Sequence, residues 1–264
     1  MNISVVLGVL AAAVVVWFGA IKSVIDPMIF LDSHALILVL GGTSAAALIA
    51  FPIRKIFGLA KVLVTKVLLN KTVKTKALVE EFVKASQVVR SNPNELANRK
   101  APHPFIEEGY QLIAEGVLSD KDLKEVLNQR SMFFKKDYSA DAKIWLALSK
   151  FPPAFGLLGA VSGMIAMMAS LESQKDNIGS AMAVALVATF WGIGFANLVL
   201  LPLADFYQKL TADDYAMRCV VVEGLMMLKR RESPLVVVEK LNSHLPLHER
   251  VPSDAAIGGM GKAA

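Results

Sequence analysis

Phe151–Pro202 reads FPPAFGLLGAVSGMIAMMASLESQKDNIGSAMAVALVATFWGIGFANLVLLP, two long apolar runs joined by a short polar turn. Neither run holds an Asp, Glu, Lys, Arg or His. The charges of the stretch, Glu172, Lys175 and Asp176, all lie in the turn. A helix needs about 20 residues to cross a hydrocarbon core of about 30 Å, and each run is long enough. The stretch is expected to form a transmembrane helical hairpin.

Its small residues recur at helical spacing: Gly156, Gly159, Ala160 and Gly163 in the first run, and Ala181, Ala185, Ala188, Gly192 and Ala196 in the second. Small residues let helices approach closely in lipid, where packing rather than exclusion of water drives association. Two readings stay open at this point, an ordinary seam between the two helices or a face that lines a partner helix. Thr189 and Ser162 are among the few hydroxyls of the hairpin. A hydroxyl on such a helix commonly bonds its own backbone, which is the plainer alternative to a functional role. Pro153 and Pro202 bracket the hairpin and read as helix ends or kinks.

The whole chain agrees with a membrane assignment. Of its 264 residues, 55% are hydrophobic and 19% charged, with a mean hydropathy of +0.50; soluble domains carry about 25% charged residues. The net charge is +5 and the pI about 9.2. Because the basic surplus is confined to particular segments, it reads as topological rather than as a nucleic-acid footprint. The single cysteine, Cys219, rules out an internal disulfide. His34, His103, His244 and His248 are too scattered to suggest a metal centre, and neither a phosphate-binding glycine loop nor a nucleophile–base pairing stands out. The expectation is a non-enzyme without cofactor.

Outward from the hairpin, four segments emerge. Residues 1–52 hold a first hairpin: an apolar run over 3–21, with no basic segment before it and read as a retained helix, then a loop with breakers Asp26, Pro27 and Asp32, then a second span over 35–52. Residues 53–150 hold 18 of the 28 Lys and Arg. This segment opens with an amphipathic stretch over 53–69, which either continues the second span or lies on the membrane surface. Helices follow at 77–90, at 105–115 (ended by Gly116), and from a Ser119-Asp120 cap onward as one helix or two; Ser91–Asn94 and Ala101–Pro104 act as breakers. Residues 151–205 hold the second hairpin. Residues 206–264 carry a helical pattern to Lys229, a break at Glu232-Ser233-Pro234, a last helix over 235–245 and a glycine-rich end. No strand pattern is convincing. The fold class expected is all-α, a four-span helical membrane protein with a helical cytoplasmic domain.

Orientation follows the distribution of Lys and Arg. Residues 206–264 hold eight more, whereas the two hairpin turns hold one each, Lys22 and Lys175. The 53–150 segment, the tail and both termini are expected in the cytoplasm and the two turns outside. Ion movement across lipid usually needs an ionisable group at membrane depth, and the hairpin has none. Either the protein conducts nothing, or a partner helix brings a carboxylate to it.

The chain resembles the A subunit of the bacterial flagellar motor stator (MotA/PomA type), within the wider MotA/TolQ/ExbB proton-channel group. The resemblance rests on PPAFGLLGAVSGMIAMM (152–168) and IGSAMAVALVATFWGIGFANLVLLPLAD (178–205), which look like the family's third and fourth spans. LILVLGG (36–42), FIEEGYQLIAEG (105–116) and EGLMMLKRRESPLVVVEKLNSHLP (223–246) support it. The short first hairpin favours the four-span stator branch over the three-span TolQ/ExbB branch.

The resemblance implies a homo-oligomeric ring of five A subunits in the bacterial inner membrane around two single-span, MotB-like B subunits. The B subunit would carry the ion-binding aspartate, and the ring would turn on the flagellar rotor C-ring protein FliG. It implies ion-path or partner-facing roles for Thr189, Ala160, Pro153, Pro202, Gly156 and Gly163. Ala160 stands where sodium-driven members carry threonine, so H+ rather than Na+ is the implied coupling ion: dehydrated Na+ wants several oxygen ligands, whereas a proton needs only a carboxylate.

The rotor-facing segment departs from the family pattern. In VKASQVVRSNPNELANRK (83–100), counting back from Phe105 puts Arg90 at a basic position, counting forward from Leu78 puts Lys84 there, and Glu95 is the nearest acid. Rotor contact and a solvated face stay as alternative readings of these three. That departure keeps open a related ring powering another envelope process, such as gliding or transport. A non-conducting scaffold is a third reading.

Overall fold

A computed structural model describes residues 3–22, 27–62, 75–170 and 178–252. The expected outer turn at 172–178 (save Ile178), the second half of the amphipathic stretch and the glycine-rich end lie outside the described residues. In chain order the α-helices are α1 (Ile3–Val16), α2 (Ser33–Leu36), α3 (Gly42–Ala50), α4 (Ile53–Val62), α5 (Thr75–Ser91), α6 (Pro104–Glu115), α7 (Asp120–Leu148), α8 (Phe151–Ser170), α9 (Ile178–Phe195), α10 (Leu201–Lys229) and α11 (Pro234–Asn242). Wider π-helical turns at Trp17–Ile21, Ile37–Gly41 and Ala196–Leu200 join some of them without a break. No strand occurs among the described residues, and the fold is all-helical.

Among the described residues, three helical stretches are long and apolar enough to cross a membrane: Pro27–Ala50, a part of Asp120–Ala169, and a part of Ala181–Lys229. Over the first expected span, α1 and the π-turn after it run as apolar helix from Ile3 to Ile21. The chain divides into two compact units, Met1–Lys71 with Ser139–Lys209, and Thr72–Tyr138 with Leu210–Ala264. The unit boundaries fall inside α7 and α10, which supply residues to both.

In the first unit the breaker Asp32 acts as expected, and Asp26 lies outside the described residues. The Asp32 carboxylate accepts from the Ala35 backbone N–H at 2.8 Å and caps α2. Phe51 is extended (φ −135°, ψ 143°) ahead of Pro52, as the ring of a following proline requires. So α3 stops at Ala50 and α4 is a separate helix rather than a continuation of the span. One side of α4 is fixed: Leu59 is buried with Ala142 and Tyr207, its carbonyl accepts from the Tyr207 hydroxyl at 2.6 Å, and Lys55 Nζ lies 3.5 Å from the Asp141 carboxylate. The Trp145 ring packs against Tyr207, centroids 5.9 Å apart.

The second unit has the larger apolar core. Leu78, Phe82 and Val89 of α5, Ile106 and Tyr110 of α6, Leu123 and Leu127 of α7, Leu225 and Leu228 of α10, and Val237 and Leu241 of α11 are all buried together. Gly109 lets Leu225 sit against α6, and Gly224 receives the Phe82 ring. Helix ends follow the sequence signals: Gly116 adopts the left-handed conformation (φ +67°) after α6, and Ser119 Oγ accepts from the Asp122 N–H ahead of α7. From this cap α7 runs as one helix.

Three side chains far apart in sequence meet on this core. Arg99 forks onto the Glu81 carboxylate with Nε–Oε1 at 2.6 Å and a second nitrogen 3.2 Å from Oε2, and the Tyr110 hydroxyl donates to the same Oε1 at 3.2 Å. Burial, and then the Glu81 charge, push the Tyr110 phenol far above its ordinary range, while the Glu81 hydrogen bond raises Arg99 further. Neither group releases its proton near neutral pH. Nearby, Arg218 is 4% exposed, paired with Asp214 at 2.7 Å and stacked over Phe105 and Phe134.

Phe82→Ala removes a fully buried ring and is expected to cost about 3–5 kcal/mol of stability. Val117→Ala, at a residue 83% exposed, is expected to stay within about 0.5 kcal/mol. Thermal denaturation of the detergent-solubilised chain measures both.

Candidate functional site

The site is built on α8 and α9, which lie against each other along most of their length. Glycine is what allows it. A methyl group on Gly192 would lie 2.6 Å from the Pro152 carbonyl oxygen and 3.0 Å from Gly156 Cα; one on Gly156 would lie 2.9 Å from the Ala188 carbonyl oxygen. On Gly159 it would meet Ala188 Cβ at 2.5 Å, and on Gly163 it would meet Ala185 Cβ at 2.8 Å and the Ala181 carbonyl oxygen at 2.9 Å. These obstacles are mainly backbone atoms, which cannot swing aside. The two helices thus touch backbone to backbone over several turns, the small-residue packing expected where lipid replaces water.

The small residues therefore form a seam within the chain. Gly156 and Gly163 are buried in it and turn toward α9. Ala160 and Pro153 are half-buried on α8. Pro152 and Pro153 sit in the first turn of α8, where a missing N–H leaves no helical bond unmade. Leu157, Leu158, Met164, Ile165 and Met168 form an exposed apolar surface on the same helix.

Thr189 sits half-buried beside the seam. Its hydroxyl hydrogen is shared between the Ala185 carbonyl at 3.2 Å, one turn back, and the Gly156 carbonyl of α8 at 3.4 Å. The plainer reading of the hydroxyl is thus realised, with one addition, a link across the seam. The oxygen keeps lone pairs with which to accept a proton donor. Ser162 bonds the Gly159 carbonyl at 2.9 Å.

Pro202 does not end its helix; α10 runs through it. The π-turn just before it explains how. The Leu201 N–H bonds back five residues to the Ala196 carbonyl, so the helix is already widened just ahead of the proline ring. Within this turn Asn197 is exposed and donates to the Ile193 carbonyl at 2.9 Å.

Two ties on the hairpin were invisible in the motif. Trp191 Nε1 donates to the Phe30 carbonyl at 2.6 Å, and the Phe30 and Phe190 rings meet edge-on at 5.1 Å. Gly42 lies flat against Phe155, whose ring a side chain there would penetrate. An aromatic nitrogen in an apolar span announces a need for an acceptor, but not which one.

In the second unit Lys84, Arg90 and Glu95 are all exposed. Lys84 and Arg90 are on α5, and Glu95 is on a short 3-10 turn, Pro93–Asn98, where it accepts from Asn92 at 3.3 Å. No cluster of His, Cys, Asp or Glu able to hold a metal occurs among the described residues. The described residues of α8 and α9 contain no ionisable side chain, so what the hairpin offers chemically is a hydroxyl, a surface and a close seam, not a proton carrier.

A family model described as the MotA/TolQ/ExbB proton channel family matches residues 97–218, and Motility protein A of Cereibacter sphaeroides is 28% identical over 93% of this chain and 99% of that one. Over those matched residues the chain carries that family's pattern, and along nearly its full length it resembles a Motility protein A. Two solved structures share its fold: the structure of C. jejuni MotAB, at 19% identity with a TM-score of 0.85 over 96% of this chain and 98% of that one, and the flagellar MotAB stator complex from Bacillus subtilis, at 23% identity with a TM-score of 0.84 over 93% and 96%. The matched residues take in α7, α8, α9 and the first part of α10, so the family signature and the glycine seam coincide.

Gly192→Ala and Gly194→Ala separate the seam from helix propensity. The first places its methyl against the Pro152 carbonyl; the second has nothing within 4 Å. Overpacking is expected to cost Gly192→Ala about 1–3 kcal/mol, whereas Gly194→Ala is expected to be neutral or to gain up to about 1 kcal/mol. Melting temperatures of the two purified variants in detergent decide it.

Proposed function

We propose that the chain is the A-type subunit of a flagellar motor stator, which with a B-type partner couples inward proton flow to torque. The observation that carries this reading is the hairpin itself. It packs backbone to backbone along α8 and α9 and holds no ionisable group among its described residues, in a chain matched almost end to end by a Motility protein A. Such a hairpin cannot relay protons alone. A carboxylate brought by a single-span, MotB-like partner helix would complete the path, with the Thr189 oxygen as acceptor facing it.

The finer features belong to the same proposal: four spans, with 3–21 as the first; both termini in the cytoplasm and the chain in the bacterial inner membrane; five A subunits around two B subunits; contact with the rotor protein FliG through the segment bearing Lys84, Arg90 and Glu95. Ala160 supports H+ over Na+, because a methyl adds no oxygen ligand for a dehydrated cation. Pro153 and Pro202 would bracket the cytoplasmic end of the path.

The test uses a flagellated host lacking its stator, supplied with this chain and its cognate B subunit. Swimming that ignores Na+ and collapses with a protonophore is the expected result. Na+-dependent swimming would keep the stator and replace the ion; no swimming from a complex that assembles and docks at the motor would favour another output for the ring. Thr189→Val is expected to lower speed sharply with the complex intact, and Thr189→Ser, which keeps the hydroxyl, to retain most of it.

A further inference from the structure

The connection between α5 and α6 holds the charges of the rotor-facing segment on an unusually well-braced piece of chain. Leaving α5, Asn92 still bonds back to Val88. The 3-10 turn Pro93–Asn98 then drops Leu96, fully buried, into the core of the second unit. The chain is next gripped from both sides. Arg99 reaches back 18 residues to fork onto Glu81 of α5, and the Ala101 N–H donates to Glu107 of α6 at 3.0 Å. Tyr110 of α6, with no exposed surface, donates to the Glu81 oxygen that accepts Arg99 Nε. Outside this bracing stand the exposed Arg90 and Glu95.

We propose that Glu81, Arg99 and Tyr110 form a positioning clamp that fixes the pose of the Pro93–Asn98 turn, and so of Glu95, against the rotor partner. The proposal rests on the stator reading above and assigns these three residues no contact with the rotor. The geometry supports positioning rather than contact. A two-point guanidinium–carboxylate pair fixes direction as well as distance, and the Tyr110 hydroxyl stops the carboxylate from rotating away. Tyr110 has no surface to offer a partner, and the Arg99 and Glu81 side chains are 26% and 12% exposed. The neighbouring charges that face outward carry no comparable bracing: Glu95 has the Asn92 amide, and Lys84 projects from the middle of α5. Both donors of the clamp keep their protons near neutral pH, so the clamp stays shut during function.

The test compares the unsubstituted chain with Arg99→Lys, each with its B subunit in the stator-deleted host. Lysine keeps the charge and loses the fork, a change that is not conservative at a two-point site. Swimming speed is read alongside the yield of pulled-down complex and its melting temperature. A nitroxide at Glu95→Cys, in a Cys219→Ser background because Cys219 is exposed, reports the mobility of the turn with and without Arg99→Lys.

The expected result is a more mobile label and a speed lowered about two-fold or more, with complex yield unchanged and the melting temperature moved by no more than about 2 °C, under about 1 kcal/mol for a chain of this size. Speed unchanged despite a loosened label overturns the clamp, as does a label that does not loosen. A speed loss that merely tracks lost complex or a lowered melting temperature also overturns it, since ordinary destabilisation then suffices. No swimming from the unsubstituted chain overturns the stator reading and the clamp with it, and is thereby distinguished from failure of the clamp alone.

Discussion

Backbone approach between α8 and α9 is the constraint on which the membrane part depends. In lipid there is no gain from hiding one apolar surface against another, so two spans stay together through packing and interhelical hydrogen bonds. That requires removing side chains at the crossing. Gly156, Gly159, Gly163 and Gly192 do so, and the carbonyls of Pro152, Ala181 and Ala188 occupy the space that a side chain would need. Thr189 adds a hydrogen bond across the same seam. Once these positions are committed inward, the remaining faces of the hairpin are apolar and featureless apart from a few hydroxyls and one amide. The hairpin can frame a charge brought by another chain and cannot supply one.

The second unit uses the opposite physics. Its core is large, water-driven and mainly aliphatic, and several of its polar members meet in pairs and triads. Arg218 is held between two rings with Asp214 at its side; Glu81 is shared by Arg99 and Tyr110. Asn242 makes two bonds to the backbone of Val251, which fastens the last described residues onto the core. A mechanical element that pushes on a partner needs stiffness around the residues that touch it. Bonds that join positions 18 or 29 apart in sequence supply that better than local ones.

Much of this was legible in the sequence because the signals are local. The charge-free runs, the glycine spacing, Asp32, Gly116 and Ser119 each state their role within a turn or two of themselves, and the structure finds helices and caps where they indicate; the stop ahead of Pro52 was not read. The direction in which the small residues face was not legible. Periodicity places Gly156 and Gly163 on one side of a helix but does not say whether α9 or another chain stands there. The Glu81–Arg99–Tyr110 triad was hidden for a related reason: none of the three is unusual alone, and their partnership exists only after α5 and α6 pack. Pro202 left two readings open, an end or a kink, and the helix passing through it removes the first.

The wide turn at Ala196–Leu200 has a geometric consequence beyond accommodating that proline. Ala188, Gly192, Ala196, Leu200 and Ala204 are all buried, each four residues after the last. On an ideal α-helix, at about 100° per residue, a row with that spacing would wind by about 160° from first to last. It would leave the protein interior and emerge among the lipid tails. One surplus residue in the ladder takes back about 100° of that drift. The turn works as a phase corrector: a strict four-residue rhythm, unsuited to a regular helix, is kept facing inward over 16 residues by a single local slip of the backbone.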